Sequence, residues 1–379
     1  MKGHLINVPH RSVPSAYVVT VSSTALPGLS TWLEQSLGES PRRAAIISNP
    51  IVFSLYGDAV RKSLKSAGIA TSVWLMKDGE RHKNLASLNG ALKHLAEERL
   101  TRDDVVIALG GGVVGDLTGF AAAVYLRGIR FLQVPTTLLA MIDSSVGGKT
   151  GINTEFGKNL VGAFHRPSGV LIDVETLRTL PRRELTAGFC EAIKQGAISG
   201  KKLFDETARY LDQVASITDI DNEGLAKLIA NQVAFKASIV RQDETEKTSR
   251  NDAKSRKILN FGHTFGHALE KVTNYRRLRH GEAVGYGILV AAELSKNLDL
   301  LPENELKLLN DVVHRAGRLP GIGDIAPNTI FEAFKYDKKI SVSGLSWILL
   351  NGIGKPVIIS EKDIPKKALA SAVKKILKG

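Results

Sequence analysis

The chain has 379 residues, enough for about two ordinary domains, and its 43% hydrophobic and 23% charged content excludes disordered, collagen-like and coiled-coil classes. A single cysteine, Cys190, rules out an internal disulfide and a thiolate metal cluster. The net charge of +13 favours anionic partners, but the basic residues are scattered and aromatics make up only 6%, so a small phosphate- or carboxylate-bearing substrate is expected and nucleic acid is not. Residues Met1–Pro9 have no apolar core, so no export signal is read, and a cytoplasmic setting is expected.

In chain order, Ala44–Asn49, Ser72–Met76, Asp104–Leu109, Gly128–Pro135 and Gly169–Val174 are short apolar runs that predict buried parallel strands. Helical spacing over Ala59–Ser66 and Leu85–Glu97 places helices between them, which predicts a parallel sheet covered on both faces. Val105–Leu126 carries one charge, Asp116, but its clustered glycines and missing aromatic belt mark a strand, a turn and a packed helix rather than a membrane span. From Pro181 the texture becomes helical, over Arg183–Ser199, Leu203–Val214, Glu223–Arg241, Thr264–Thr273, Glu282–Leu298 and Glu303–Ala316. A small hairpin from Trp347–Leu350 and Val357–Ser360, then a helix over Pro365–Leu377, close the chain. The expected architecture is α/β: a Rossmann-like parallel-sheet domain over residues 1–180, then a mainly helical metal- and substrate-binding domain over 181–379.

Gly110-Gly-Gly-Val-Val-Gly115-Asp116 follows an apolar strand with G-x-G-x-x-G spacing, which lets backbone N–H groups approach a pyrophosphate; such a cluster also serves an ordinary strand–helix turn. The ribose-binding acid expected about 20 residues on is replaced by Arg127 and Arg130, so any dinucleotide is held in an unusual way. Asp78 to Lys83 is a second candidate nucleotide loop. Asp143 to Asn153, with Gly157-Lys158-Asn159, reads as a flexible glycine-rich segment whose lysines suit a phosphate or polyhydroxylated anion, with Asp143 and Asn159 available to hydroxyls. It lacks the spacing of a Walker loop. Glu191 and Lys194 share one helix face, His263 and His267 share another, and His280 follows. Histidine and glutamate are natural catalytic-zinc ligands, and spacing alone favours His263 and His267 as the pair.

These blocks, with Tyr125-Leu-Arg-Gly-Ile129, Gln133 to Ala140, Asn260 to His267 and His280-Gly-Glu-Ala-Val284, resemble the 3-dehydroquinate synthase family of sugar phosphate cyclases from about Ser48 to Lys339. The resemblance implies NAD, one divalent metal (zinc, with cobalt an alternative) and a homodimer. Its implied metal ligands are Glu191, His263 and His280, which makes His267 an acid/base group rather than a ligand. Implied cofactor contacts are Asp78, Gly79, Glu80, Arg81, His82, Lys83, Gly112, Val113, Val114, Gly115, Asp116, Thr136, Thr137, Lys149, Lys158, Thr176, Leu177, Arg178 and Thr179. Implied substrate contacts are Arg127, Asp143, Asn159, Lys194, Lys236, Arg256, Asn260, His267 and Lys338 or Lys339; Lys149, Lys194, Glu246, Asn260, Arg256 and His267 form the implied catalytic group.

The implied reaction converts 3-deoxy-arabino-heptulosonate 7-phosphate to 3-dehydroquinate and phosphate by transient NAD-dependent oxidation, phosphate elimination, reduction and aldol closure. Residues 247–257 are longer than the family connection, so counting from Lys236 selects Arg250 and counting back from Asn260 selects Arg256; Arg256 is preferred. A sedoheptulose 7-phosphate cyclase, an NAD- and metal-dependent polyol dehydrogenase and a non-catalytic nucleotide-binding module are the alternatives.

Overall fold

A computed structural model describes residues 16–213, 222–247, 249–340 and 345–378. The opening segment read for an export signal lies outside the described residues, as do the side chains of Lys338 and Lys339. The first half alternates β1 (Val18–Ser22), α1 (Leu29–Leu37), β2 (Arg43–Ser48), α2 (Pro50–Ser66), β3 (Ala70–Leu75), α3 (Leu85–Glu97), β4 (Val105–Gly110), α4 (Gly112–Val124) and β5 (Arg130–Pro135). An antiparallel ribbon of β6 (Lys149–Thr154) and β7 (Gly157–Phe164) follows, then β8 (Gly169–Asp173). The main sheet has six parallel strands in the order β1-β8-β5-β4-β2-β3.

Every residue of β4 is buried, as a two-sided strand requires, and separate apolar clusters cover the sheet's two faces. The chain leaves β2 toward β3 and leaves β4 toward β5, so connections diverge between β2 and β4, where open α/β sheets place a ligand crevice. The glycine turn lies directly at that point.

The second half is helical: α5 (Arg182–Ser199), α6 (Lys201–Gln213), α7 (Asn222–Gln242), α8 (His263–Val272), α9 (His280–Asn297), α10 (Glu303–Arg315), α11 (Pro327–Ile340) and α12 (Lys366–Lys378), with an antiparallel pair β9 (Ser346–Leu350) and β10 (Pro356–Ser360). The turn at Pro181 separates the two textures, yet Val170 and Ile172 of β8 pack into the same apolar cluster as α5 to α12. Among the described residues no helix is long and apolar enough to cross a membrane.

β1, α1 and α11 lie outside the elements expected from the sequence, and one reading needs correction. The segment read as a flexible glycine loop is largely the β6–β7 ribbon. Its glycines serve close strand approach: a Cβ on Gly162 would stand 2.1 Å from the Thr150 carbonyl oxygen. Left-handed backbone is confined, in the stretch before the ribbon, to Gly147 (φ +104) and Gly148 (φ +66).

Candidate active site

The implied cofactor segments converge although they are scattered in sequence. Gly112 to Asp116 follow β4, Thr136 and Thr137 follow β5, Asp78 to Lys83 follow β3, and Thr176 to Thr179 follow β8, all at the carboxyl edge of one sheet. The glycines at the β4–α4 turn permit close packing: a Cβ on Gly112 or Gly115 would lie 2.8 Å from Ser144 Oγ or Gln133 Oε1. Lys83 is buried and ties three blocks together, donating to Asp116 at 2.9 Å and to Asn159 at 2.7 Å, with Glu80 3.4 Å away. Burial works against its charge, but Asp116 and Glu80 outweigh this and raise its pKa.

Across the crevice, a row of charges runs through the protein. Asp143, in a widened helical turn at Ala140–Ser144, accepts from Lys194 Nζ at 3.3 Å and pairs with Lys236, which also donates to the Asp143 carbonyl at 2.6 Å. Lys194 is 1% exposed and reaches Glu191 Oε2 at 2.6 Å on its other side. Burial opposes ionisation of Asp143, yet Lys194 and Lys236 hold its carboxyl well below the usual range. Burial, partly offset by Asp143, lowers the Lys236 pKa, whereas Asp143 and Glu191 raise that of Lys194.

Glu191 is fully buried on α5, and its Oε1 has no hydrogen-bond donor. Two imidazoles face that oxygen: His280 Nε2 at 3.5 Å and His263 Nε2 at 3.8 Å. Their other nitrogens are engaged, His263 Nδ1 with the Phe261 carbonyl and His280 Nδ1 with Glu270, each at 3.2 Å. Nδ1–H donation leaves both Nε2 lone pairs directed at the orphaned carboxylate oxygen, an arrangement a cation satisfies. His267 joins this cluster: donor atoms of His263, His267 and His280 all lie within 4.8 Å of one another. Burial first, and then the neighbouring His280, pushes His267 down to about 4. The geometry therefore brings together both the pair favoured by spacing and the set implied by resemblance.

Two ion pairs tie the ribbon to the helical half. Lys149 pairs with Glu246, which accepts from Asn260 Nδ2 at 3.3 Å; Lys158 reaches Glu270 at 3.0 Å and lies 4.4 Å over the Tyr275 ring. Glu270 was not found from the sequence. The signal was present: His263, His267 and Glu270 are spaced i, i+4, i+7 on one helix face.

The segment read as longer than the family connection turns back at both ends onto Asp243, which accepts from the Lys247 and Arg256 amides at 2.9 and 2.8 Å. Arg256 is thereby buried, donating to the Gly147 and Glu244 carbonyls at 3.2 and 2.8 Å beside the Asp143 turn, whereas Arg250 pairs outside with Asp252. Arg250→Ala is expected to leave kcat/KM within about twofold, because its partners are Asp252 and the Gln242 carbonyl rather than the Asp143 turn, and Arg256→Ala to lower it by about 10²-fold or more. Steady-state kinetics of both variants check this.

Arg127 is not brought to the site. It lies on the exposed turn after α4, at the opposite edge of the sheet, and the 13 residues of α4 span roughly 20 Å from the glycine turn. Within one chain it is separated from the Asp143 row.

Comparison with known proteins places this geometry among relatives. A family profile described as 3-dehydroquinate synthase N-terminal matches residues 73–187, and one described as 3-dehydroquinate synthase C-terminal matches 188–340. A 3-dehydroquinate synthase of Cyanothece sp. is 40% identical over 378 residues, covering 99% of this chain and 98% of its own. Among solved structures, 2-epi-5-epi-valiolone synthase from Streptomyces hygroscopicus subsp. jinggangensis, with NAD⁺ and Zn²⁺ bound, superposes with a TM-score of 0.85 at 25% identity, covering 97% of this chain and 99% of that one. A 2-deoxy-scyllo-inosose synthase complexed with carbaglucose-6-phosphate, NAD⁺ and Co²⁺ gives 0.80 at 26% identity, with 94% and 96% covered.

Proposed function

The chain belongs to the 3-dehydroquinate synthase family, and we propose that it holds NAD along the carboxyl edge of its sheet and one zinc ion on Glu191, His263 and His280, acting as a cytoplasmic homodimer. Its activity is that of the family, a phosphate-eliminating lyase reaction that converts 3-deoxy-arabino-heptulosonate 7-phosphate to 3-dehydroquinate. The observation that carries the ligand assignment is the buried, unpartnered Glu191 Oε1 facing two imidazole Nε2 atoms. Bound NAD⁺ and Zn²⁺ in the valiolone synthase relative support the same pair of groups here.

When bound, NAD supplies reversible oxidation at one substrate carbon while the metal polarises the oxygen on that carbon. The chain's own residues supply the rest. Lys194, Lys236 and Arg256 form a buried cationic wall for a substrate that carries both a carboxylate and a phosphate. Asp143 holds the amino groups of both lysines in place, so their donors are already oriented when the anion arrives. Neutral His267 can take a proton at a ring nitrogen from substrate bound against the cluster and later return it. Lys149, Glu246 and Asn260 close the ribbon side of the crevice, where a hydroxyl or a phosphate oxygen can exchange into their contacts. Holding one intermediate through successive steps is chiefly positioning.

Arg127 fits the implied role only by reaching a second copy, which supports the homodimer. Phosphate release from heptulosonate 7-phosphate is expected, lost on chelation, regained with zinc and absent with sedoheptulose 7-phosphate, which lacks the carboxylate. Equal release from both sugars would overturn the substrate assignment, and a monomer by sedimentation would overturn the dimer. Steady accumulation of NADH with a plain polyol would favour the dehydrogenase reading.

A further inference from the structure

We infer that Glu270 is a positioning residue whose carboxylate fixes His280 with Nδ1 protonated and Nε2 free, and shares that task with a charge bond to Lys158 of the ribbon. The inference rests on the proposed ligand set. Glu270 is 3% exposed and both of its oxygens are engaged: Oε2 with His280 Nδ1 at 3.2 Å, Oε1 with Lys158 Nζ at 3.0 Å. A neutral imidazole carries one N–H, so the acceptor that takes it decides which nitrogen keeps a lone pair. For His280 the remaining nitrogen, Nε2, is the one 3.5 Å from Glu191 Oε1.

The two imidazoles facing Glu191 are held differently. His263 gives its Nδ1–H to a neutral peptide carbonyl two residues away, at Phe261, whereas His280 gives its own to a charged carboxylate on a neighbouring helix. A carboxylate acceptor makes the imidazole a stronger donor to a cation as well as orienting it. Lys158 keeps Glu270 from being an uncompensated buried charge, so one carboxylate serves a residue on the implied cofactor side and a residue on the metal side.

The test is zinc affinity of the metal-free protein, measured by competition with a chromophoric chelator at fixed pH. Glu270→Leu is expected to weaken zinc binding by about 10- to 100-fold, and Glu270→Gln, whose amide oxygen still accepts from Nδ1–H, by about three- to tenfold. Lys158→Met, which leaves the Glu270–His280 contact in place, is expected to stay within about threefold of the parent. Thermal melting of the metal-free proteins separates this from a folding defect. Should Glu270→Leu not fold, Glu270→Gln carries the test. Parental zinc affinity in the Glu270 variants, while His280→Ala loses zinc, would overturn the inference and leave the ligand set standing. Retention of zinc by His280→Ala as well would overturn both.

Discussion

His280→Ala is expected to lose zinc and at least about 10³-fold in turnover, while NAD affinity stays within a few fold. The segments proposed to hold the cofactor lie on the carboxyl edge of the sheet, whereas His280 opens α9 in the helical half, so the two losses should separate. The size follows from the arrangement around Glu191. Removing one imidazole leaves a fully buried carboxylate oxygen with a single Nε2 partner, at 3.8 Å, and opens the coordination to water. His267→Ala is the discriminating companion. On the proposed ligand set it keeps zinc and loses turnover by about 10²- to 10⁴-fold, the range for a general acid/base. If His263 and His267 were the ligand pair instead, the same variant would emerge metal-free. Metal content by elemental analysis, read beside phosphate release, distinguishes these outcomes.

How much of this was legible in the sequence follows from the range of each interaction. Buried parallel strands such as β4 are local apolar runs, and α3 was bounded correctly at Leu85 and Glu97 because its apolar spacing lies within one element. The ribbon was not legible as strands. Its residues are rich in glycine and lysine, and what makes them strands is pairing across the turn at 155–156, with Gly151 against Gly162. The α8 histidines were visible by spacing, but the carboxylate that faces His263 sits on α5, 72 positions earlier in the chain. Periodicity cannot report such a contact; only the resemblance supplied it. Arg127 shows the converse: the motif was legible, and only the fold reveals that it lies on the far edge of the sheet.

Lys194→Met should produce the second large effect, in stability as well as rate. Its ammonium is 1% exposed and lies between two carboxylates, Glu191 at 2.6 Å and Asp143 at 3.3 Å. Methionine fills similar space but removes the ammonium that pairs with Glu191 Oε2, and breaking a buried pair from one side costs about 3–5 kcal/mol. Asp143 is buffered, because Lys236 still pairs with it. The penalty should therefore fall mainly on the Glu191 side, where a bound divalent ion can replace the missing charge. Denaturant unfolding should show a large loss in the metal-free variant and a smaller one with zinc present. Turnover should fall by at least about 10²-fold in either case, because the ion restores charge to Glu191 and not the ammonium proposed to meet substrate. A metal-free variant as stable as the parent would mean that the Glu191–Lys194–Asp143 row does not carry opposed charges. Equal losses with and without zinc would remove Glu191 from the ligand set, which links this measurement to the histidine variants through a different residue.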